Sequence, residues 1–338
     1  MFNKIYLRMK KFKTTLFLLI GINVCIFSQG IIPGDDFKPS GKPFVKIFSN
    51  YHSTFSDGEV FNVFQITRSY LGYGYQLSEN ISAKVTLDVG NPATGKYERI
   101  AFLKNALIKY QKGKVTLNFG LIGTYQFKAQ EKAFGYRYIY KSFQDAYKFG
   151  PSADLGISAK YKISDIISVD AAITNGEGYK QVEIDSTFKA SFGVSLFPVK
   201  GLMIRGYYDY MNTEQAQSTY SVFVAYKHQD ISFGAEYNIQ DNHKMIEYQD
   251  LSGYSIFSTY KINSKIKVFG RYDKLTSDKI EDADEPWNIK KDGQYFIAGI
   301  EYAPIKGLKI SPNYRGFQPG KKDSPYRSSI YLNLEIKF

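Results

Sequence analysis

The sequence predicts an all-β chain, a transmembrane antiparallel β-barrel of about sixteen strands within a range of fourteen to eighteen. Apolar and polar residues alternate strictly over many segments, as they do in strands with one apolar face. These segments are roughly ten residues long, whereas strands of soluble proteins average five to six. The connections between them alternate between short and long along the chain, which is the arrangement of an outer-membrane barrel.

The composition excludes other classes of protein. Aromatic residues make up 17% of the 338 residues and hydrophobic residues 43%. Disordered chains are poor in aromatic residues, and helical membrane proteins need runs of about 20 apolar residues. Cys25 is the only cysteine, so the sequence predicts neither a disulfide framework nor a cysteine metal cluster. We expect no cofactor and no metal site.

Residues 1–30 have the pattern of a cleaved signal peptide. Five basic residues precede position 14, an apolar run covers 14–27, and Ser28, Gln29 and Gly30 offer small residues for cleavage. The alternative is an N-terminal membrane anchor, for which the apolar run is short. Residues 31–42 are then a short periplasmic tail, and 43–338 form a single barrel. Removing the signal lowers the net charge from +12 to +7, which fits anionic solutes or membrane surfaces better than nucleic acid.

The alternation is clearest in the segments Ile81–Val89 and Ile231–Gln240. The strands are predicted at 43–52, 60–77, 80–89, 99–110, 113–122, 152–163, 166–175, 187–197, 201–211, 218–228, 230–240, 251–262, 265–274, 294–303, 307–316 and 326–338. Every second connection, beginning with 78–79, is short, and the others are longer. We place the short connections in the periplasm. Two of them resemble each other, Pro198–Ile204 and Pro304–Ile310.

The last strand predicts an assembly signal. Leu334, Ile336 and Phe338 lie on one apolar face, and polar residues lie between them. The alternative is a soluble edge strand that ends in phenylalanine. Together with the signal peptide and the loop pattern, this strand favours recognition by the outer-membrane barrel-assembly machinery.

The longest connection, 123–151, is the first candidate for a functional element. Its many tyrosines and phenylalanines are too apolar for a freely solvated loop, so we expect it to fold into the barrel and narrow the pore. The alternative is an extracellular cap without a role in selectivity. Its basic residues are predicted to contact anions at the constriction; they are Lys128, Lys132, Arg137, Lys141 and Lys148.

The inner face of the barrel is the second candidate. Arg205, Arg271 and Arg315 fall on inward positions, and guanidinium groups pair well with carboxylate and phosphate. The predicted lumen acids are Asp170, Asp209, Glu236 and Asp273. In the alternative interpretation the charges pair locally, Arg205 with Asp209 and Arg271 with Asp273. Outward tyrosines near strand ends are expected to form aromatic girdles, and these are Tyr208, Tyr210, Tyr237, Tyr260, Tyr272 and Tyr302.

Catalysis has little support. His52, His228 and His243 are the only histidines, and no triad or metal spacing surrounds them. We expect each of them in a loop or turn. The prediction is therefore that the protein is not an enzyme.

The chain resembles Gram-negative outer-membrane porins, most closely the phosphate-selective porin O and P family. The resemblance is carried by Tyr136–Gly156, Val268–Asp273 and the closing strand, and it extends diffusely over the mature chain. It implies a sixteen-strand barrel, often trimeric, with an in-folded third loop and passive solute diffusion.

These observations predict a water-filled outer-membrane channel for small hydrophilic solutes with a mild preference for anions, phosphate-like or carboxylate solutes among them. The expected partners are these solutes, outer-membrane lipids, the barrel-assembly machinery and two further copies in a homotrimer. The alternative is an outer-membrane barrel with an occluded pore that acts as an enzyme or as a scaffold for secretion or assembly.

Overall fold

The computed structural model describes residues 37–90 and 99–338, and the predicted signal peptide lies outside this range. The chain contains the sixteen strands that the sequence predicts. They are β1 Ser40–Ser56, β2 Glu59–Gln76, β3 Ile81–Gly90, β4 Ala101–Lys112, β5 Val115–Gly123, β6 Ala153–Lys162, β7 Ile167–Thr174, β8 Lys189–Leu196, β9 Leu202–Asn212, β10 Ala216–His228, β11 Ile231–Asp241, β12 Leu251–Lys261, β13 Ile266–Ser277, β14 Gly293–Tyr302, β15 Leu308–Pro319 and β16 Arg327–Lys337. The barrel begins at Ser40, so it includes the last residues of the predicted tail.

The sheet closes on itself. Each strand pairs antiparallel with its neighbours in sequence, and β1 pairs with β16, for example Ile47 with Ile336. The backbone hydrogen bonds between Val45 and Phe338 complete this seam. Among residues 37–90 and 99–338, no helix has the length and apolar character needed to cross a bilayer.

The two faces of the sheet have opposite polarity. Outward positions such as Val222, Tyr237 and Ile256 are exposed and apolar, whereas inward Asp88 and Asn238 are buried and polar. An exterior of this kind is stable against lipid rather than water. Five of the six predicted girdle tyrosines are exposed on this face, and Tyr272 is half-buried and donates a hydrogen bond to Gln294.

The seven predicted short turns are present, but the other side of the barrel is less uniform than predicted. Asp57 and Gly58 alone connect β1 to β2, and residues 213–215 connect β9 to β10. Both Asp57 and Gly58 adopt left-handed φ angles, 54° and 78°. This matches a type I′ turn, which follows the twist of paired strands and needs no longer loop. The expectation that every second connection is long is therefore wrong at these two places.

The two similar turns in the sequence have the same conformation. Gly201 and Gly307 both have φ of 88°, and their carbonyls accept hydrogen bonds from Lys227 and Lys337 on the neighbouring strand. A β-carbon at Gly201 would lie 2.1 Å from the carbonyl oxygen of Lys227. Glycine is therefore required here both by the backbone conformation and by the close approach of the next strand.

Replacing Gly201 by alanine should lower the free energy of unfolding by about 1–3 kcal/mol, because the variant must strain a left-handed residue against a backbone carbonyl. Urea unfolding in detergent micelles measures this loss. Gly206→Ala is the matched control, since a β-carbon at Gly206 would have nothing within 4 Å and the φ of this residue is not left-handed. Equal stability of the two variants would contradict the strain argument.

One long connection contains the helices nearest to the candidate site. Residues 124–152, called the 124–152 segment below, join β5 to β6 and contain α1 Lys128–Phe134 and α2 Phe143–Ala146. Gly135 ends α1 in the left-handed conformation, and its N–H bonds the carbonyl of Glu131. The chain then turns toward the opposite wall of the barrel.

Candidate functional site

The aromatic residues of the 124–152 segment pack against inward-facing aromatic residues of β12 to β14. Phe134 lies 5.3 Å from Phe257 between ring centroids, and Tyr136 lies 4.3 Å from Phe269. Further along, Tyr140 stacks on Tyr295 at 4.7 Å. Such contacts stabilise by apolar burial and by ring geometry, so the segment is held on this wall and not in free solvent.

Arginines of the wall also bind the backbone of the 124–152 segment. Arg271 donates from Nη1 to the carbonyl of Lys141 at 2.6 Å. Arg315 donates to the carbonyl of Ile139 at 3.0 Å, and Arg205 donates to that of Tyr125 at 3.1 Å. These charge-assisted hydrogen bonds attach three separated points of the segment to β9, β13 and β15.

The remaining donors of two of these arginines bind acids. Arg271 makes two hydrogen bonds to Asp273, at 2.8 and 2.7 Å, and both residues are buried. This is the local pair given above as the alternative to anion contact. Arg315, by contrast, is held by the side-chain oxygens of Asn313 and Asn333, at 3.0 and 2.8 Å.

Arg205 pairs with Asp170 and not with Asp209, the partner considered from the sequence. Its guanidinium forks onto Asp170 at 2.6 and 2.9 Å, whereas Asp209 lies 3.2 Å from Lys189 Nζ. Positions four apart on one strand are about 13 Å apart, so Arg205 and Asp209 are poorly placed to pair. Gly193 on the strand between makes room, since a β-carbon there would lie 2.4 Å from the guanidinium of Arg205.

The other predicted lumen acids are also inward and buried. Asp209 accepts a hydrogen bond from Tyr207 at 2.9 Å, and Glu236 accepts one from Asn238 at 3.1 Å. All four predicted acids therefore lie on the inner face. Of the four acids, Asp170 alone lines a cavity near the 124–152 segment, and Arg205 lines the same cavity.

Open space lies on the side of the 124–152 segment that faces β1 to β5. A cavity of about 440 Å³ is bounded by α1 and by this wall. A second cavity of about 380 Å³ shares Lys109 and Lys128 with the first and extends to β6, β7, β8 and β9. Besides Arg137 and Arg205, seven lysines line the two cavities; these lysines, called the lysine wall below, are Lys46, Lys84, Lys104, Lys109, Lys128, Lys132 and Lys160.

The lysines of this wall are close enough to affect one another. Burial, followed by the charges of Lys84, Lys160 and Lys109, lowers the pKa of Lys128 on α1. Glu131 opposes this shift only weakly, since it is the last of the causes. The charges of these lysines repel one another across the space between α1 and the opposing strands, and an anion would relieve the repulsion.

Three of these lysines, Lys46, Lys104 and Lys109, were not predicted to line the pore. The pairing of β3 with β4 shifts register between Thr86 and Leu87, so that Lys104 is the extra residue of a bulge. A bulge breaks the period-two pattern from which inward positions are inferred. Lys104 Nζ donates to Ser152 at 3.0 Å, which ties this lysine to the end of the 124–152 segment.

Arg137 borders the larger cavity but is partly neutralised. It lies 3.3 Å from Glu131 and 3.3 Å from Asp145, and Lys141 lies 3.0 Å from the same aspartate. Burial raises the pKa of Asp145, but the charges of Arg137 and Lys141 outweigh it and hold that pKa below its ordinary value. Lys148 is exposed near the end of the segment, away from either cavity. Of the five predicted cations, Lys128, Lys132 and Arg137 therefore line open space.

The histidines are not grouped in one place. The prediction that His52 lies in a loop or turn is wrong, because His52 lies inside β1. Its ring stacks on Tyr331 at 4.4 Å between ring centroids and lies 2.8 Å from the side chain of Asn50. The polar inner face of β1 explains this position, because an imidazole can be satisfied there. His228 ends β10, and His243 begins a turn of 3₁₀ helix, His243–Met245.

Acid should destabilise the protein through His243. Burial, followed by the charges of Lys244, Lys291, Lys148 and Lys189, lowers its pKa from 6.5 to about 4. Between these values the unfolded chain binds a proton that the folded chain does not, so stability falls as pH falls from 6.5 toward 4. His243→Gln should reduce the difference between unfolding midpoints at pH 7 and pH 4.5. An unaltered difference in His243→Gln would refute the assignment.

The closing strand places its terminal aromatic outside the barrel. Phe338 is 74% exposed, and Leu334 and Ile336 pair with Ser49 and Ile47 of β1. The strand is thus both the last one and half of the seam that closes the sheet. Its recognition by assembly machinery stays a prediction.

No protein-family model and no curated protein matches this chain. Solved structures do match it in fold. OprB of Pseudomonas putida has 11% identity and a TM-score of 0.69 over 88% of this chain and 94% of that one. DcaP, an outer membrane channel of Acinetobacter baumannii, has 11% identity and a TM-score of 0.65 over 91% and 100%. A loop L8 deletion mutant of OmpT, an outer membrane protein of Vibrio cholerae, has 14% identity and a TM-score of 0.64 over 89% and 99%.

These likenesses define the class of fold. The chain is a closed sixteen-strand antiparallel barrel of the architecture found in these outer-membrane proteins. At sequence identities of 11–14%, these similarities show the fold and do not show the function.

Proposed function

We propose that the protein is an outer-membrane porin, a water-filled channel through which small hydrophilic solutes diffuse passively with a preference for anions. The lysine wall is the observation that carries this proposal. Seven lysines border two adjoining cavities between α1 and the strands, against Glu131 and Asp170 as the acids of the same linings. A confined space with this balance of charge attracts anions and repels cations.

The barrel itself supports the cellular setting. An apolar exterior and a polar interior suit a protein that crosses a membrane by strands and encloses water. The proposed location is the outer membrane of a Gram-negative bacterium, reached with a cleaved signal peptide. DcaP, which has the same fold, is described as an outer membrane channel, and one OmpT structure as a trimer form. A homotrimer is accordingly part of the proposal.

Some of the site residues are proposed to contact the passing anions, and others are proposed to hold the 124–152 segment in place. Lys128, Lys132 and Arg137 contact anions, together with the lysines of β1, β3, β4 and β6. Arg205, Arg271 and Arg315 act mainly as anchors, because their donors are occupied by acids, asparagines and backbone carbonyls. The 124–152 segment then narrows the pore by occupying part of the half that faces β9 to β16.

The solute class follows from the same chemistry. Lysine ammonium groups are compact point charges that bind anionic oxygens without demanding planar geometry. Phosphate-like and carboxylate solutes both satisfy them, in agreement with the resemblance to phosphate-selective porins. Which of the two passes faster depends on the width left beside α1.

Planar-bilayer recording tests the channel and its preference. The purified protein should give stepwise conductance, and a gradient of KCl should give a reversal potential of the sign expected for chloride permeation. The preference should weaken at 1 M salt, where the Debye length is about 3 Å. Absence of conductance would overturn the channel, and a reversal potential of opposite sign would overturn the anion preference.

A further inference from the structure

A third cavity lies on the other side of α1 and adjoins the smaller cavity of the lysine wall. It has a volume of about 510 Å³ and is bounded by α1 and by β9 to β13. Gly201, Gln229 and Asp230 belong to its rim, and all three lie in or next to the short turns. The cavity therefore opens toward the side of the short turns, the proposed periplasmic side.

One wall of this cavity is apolar. Ala133 and Phe134 of α1 face Met203 and Ala225 of the strands, and Tyr136 extends the apolar surface. An apolar wall within a wet lumen lowers the free energy of a ligand that has an apolar body.

Its rim is basic. Lys261 and Lys267 are already paired, with Asp230 at 3.6 Å and with Glu301 at 2.9 Å. Lys132 and Lys227 also border the cavity, and neither forms an ion pair with any residue in the described ranges. Two uncompensated ammonium groups thus stand at the edge of an apolar pocket.

We propose that this pocket binds a small amphiphilic carboxylate, with its carboxylate at Lys132 and Lys227 and its aromatic or short alkyl body against Ala133, Phe134 and Met203. The volume lies in the range of small-molecule sites, about 300–1,000 Å³. An inorganic anion would use only the rim, and a neutral apolar molecule only the wall. The combination selects a ligand that has both parts.

The pocket is a site distinct from the passage, although the two adjoin. Lys132, Ala129 and Met203 border both this cavity and the smaller cavity of the lysine wall. A bound carboxylate would therefore lie beside the periplasmic end of the passage. Binding itself does not depend on conduction, so the two proposals fail independently.

Calorimetric titration of the folded protein in detergent tests the site, with benzoate, acetate and benzyl alcohol as probes. Benzoate should bind saturably with one site per chain, and acetate and benzyl alcohol should each bind at least about tenfold more weakly. Acetate or benzyl alcohol binding as tightly as benzoate would overturn the proposal, because one of the two parts would then be irrelevant.

Two variants locate the binding. Ala133→Phe fills the apolar wall and should abolish benzoate binding. Lys227→Gln removes an exposed charge that borders this cavity and neither cavity of the lysine wall, and it should weaken binding by about fivefold, the scale of a solvent-accessible ion pair. Lys244→Gln in the connection between β11 and β12 is the control and should bind as the parent does. Unchanged affinity in Lys227→Gln would overturn the assignment even if Ala133→Phe did not fold.

Discussion

Replacing Arg271 by methionine is expected to lower the free energy of unfolding by about 3–5 kcal/mol and to raise the conductance. The substitution leaves Asp273 as a buried charge without its partner, which is the costly way to break a buried ion pair. It also removes the hydrogen bond to the carbonyl of Lys141 and the guanidinium that lies 4.7 Å from the ring of Phe134. The 124–152 segment should then loosen and leave more of the lumen open.

Urea unfolding and planar-bilayer recording measure the two effects. The double variant Arg271→Met, Asp273→Leu should recover much of the stability, because no buried charge remains, but it should keep the raised conductance. Arg327→Met is the matched control, since Arg327 is exposed at the start of β16 and lies over the ring of Phe317. If Arg271→Met matched this control in conductance, Arg271 would not anchor the segment.

If the lysine wall sets the proposed anion preference, reversing three of its charges should make the channel prefer cations. Lys84, Lys109 and Lys128 come from β3, β4 and α1 and border the same cavity. Each replacement by glutamate changes the local charge by two, within a space about as wide as the Debye length of roughly 10 Å at 0.1 M salt. The reversal potential in a KCl gradient should therefore change sign.

A second triple variant separates local from global charge. Lys244→Glu, Lys290→Glu and Lys322→Glu make the same change in net charge on connections outside the barrel wall. This variant should keep the anion preference, with a smaller shift of the reversal potential. Equal shifts in the two triple variants would mean that the net charge, and not the lysine wall, sets the selectivity.

Most of the fold could be predicted because the geometry of a barrel determines the polarity of the sequence at every second residue. β11 alternates apolar and polar residues without interruption, and its predicted bounds 230–240 differ from Ile231–Asp241 by one residue at each end. The length of the first connection was missed although the sequence signals it. Asp57-Gly58 is a pair typical of two-residue type I′ turns, in which both residues adopt left-handed φ angles, but the apolar pattern alone does not show this.

The site was predicted less completely because it depends on partners from distant strands. The basic and aromatic character of the 124–152 segment was visible, but the pairing of Arg205 with Asp170 relies on the small Gly193 between them. Lys104 was hidden by the bulge in β4. Arginine is the better anion ligand by its chemistry, but the structure uses its several donors to fix the segment and leaves lysines at the open space.

The seam between β1 and β16 has a consequence for biogenesis. The backbone of Val45 forms hydrogen bonds with that of Phe338, which lies at nearly the opposite end of the described chain. The first strand β1 and the last strand β16 therefore lack a partner on one side until all the other strands have formed. Contacts of such long sequence separation form slowly. During that interval both edges can pair with another unfinished copy, and this exposure ends only when the ring closes. The unfinished barrel should therefore need a holdase chaperone that covers its two free edges. The chaperone should be needed until the seam has formed.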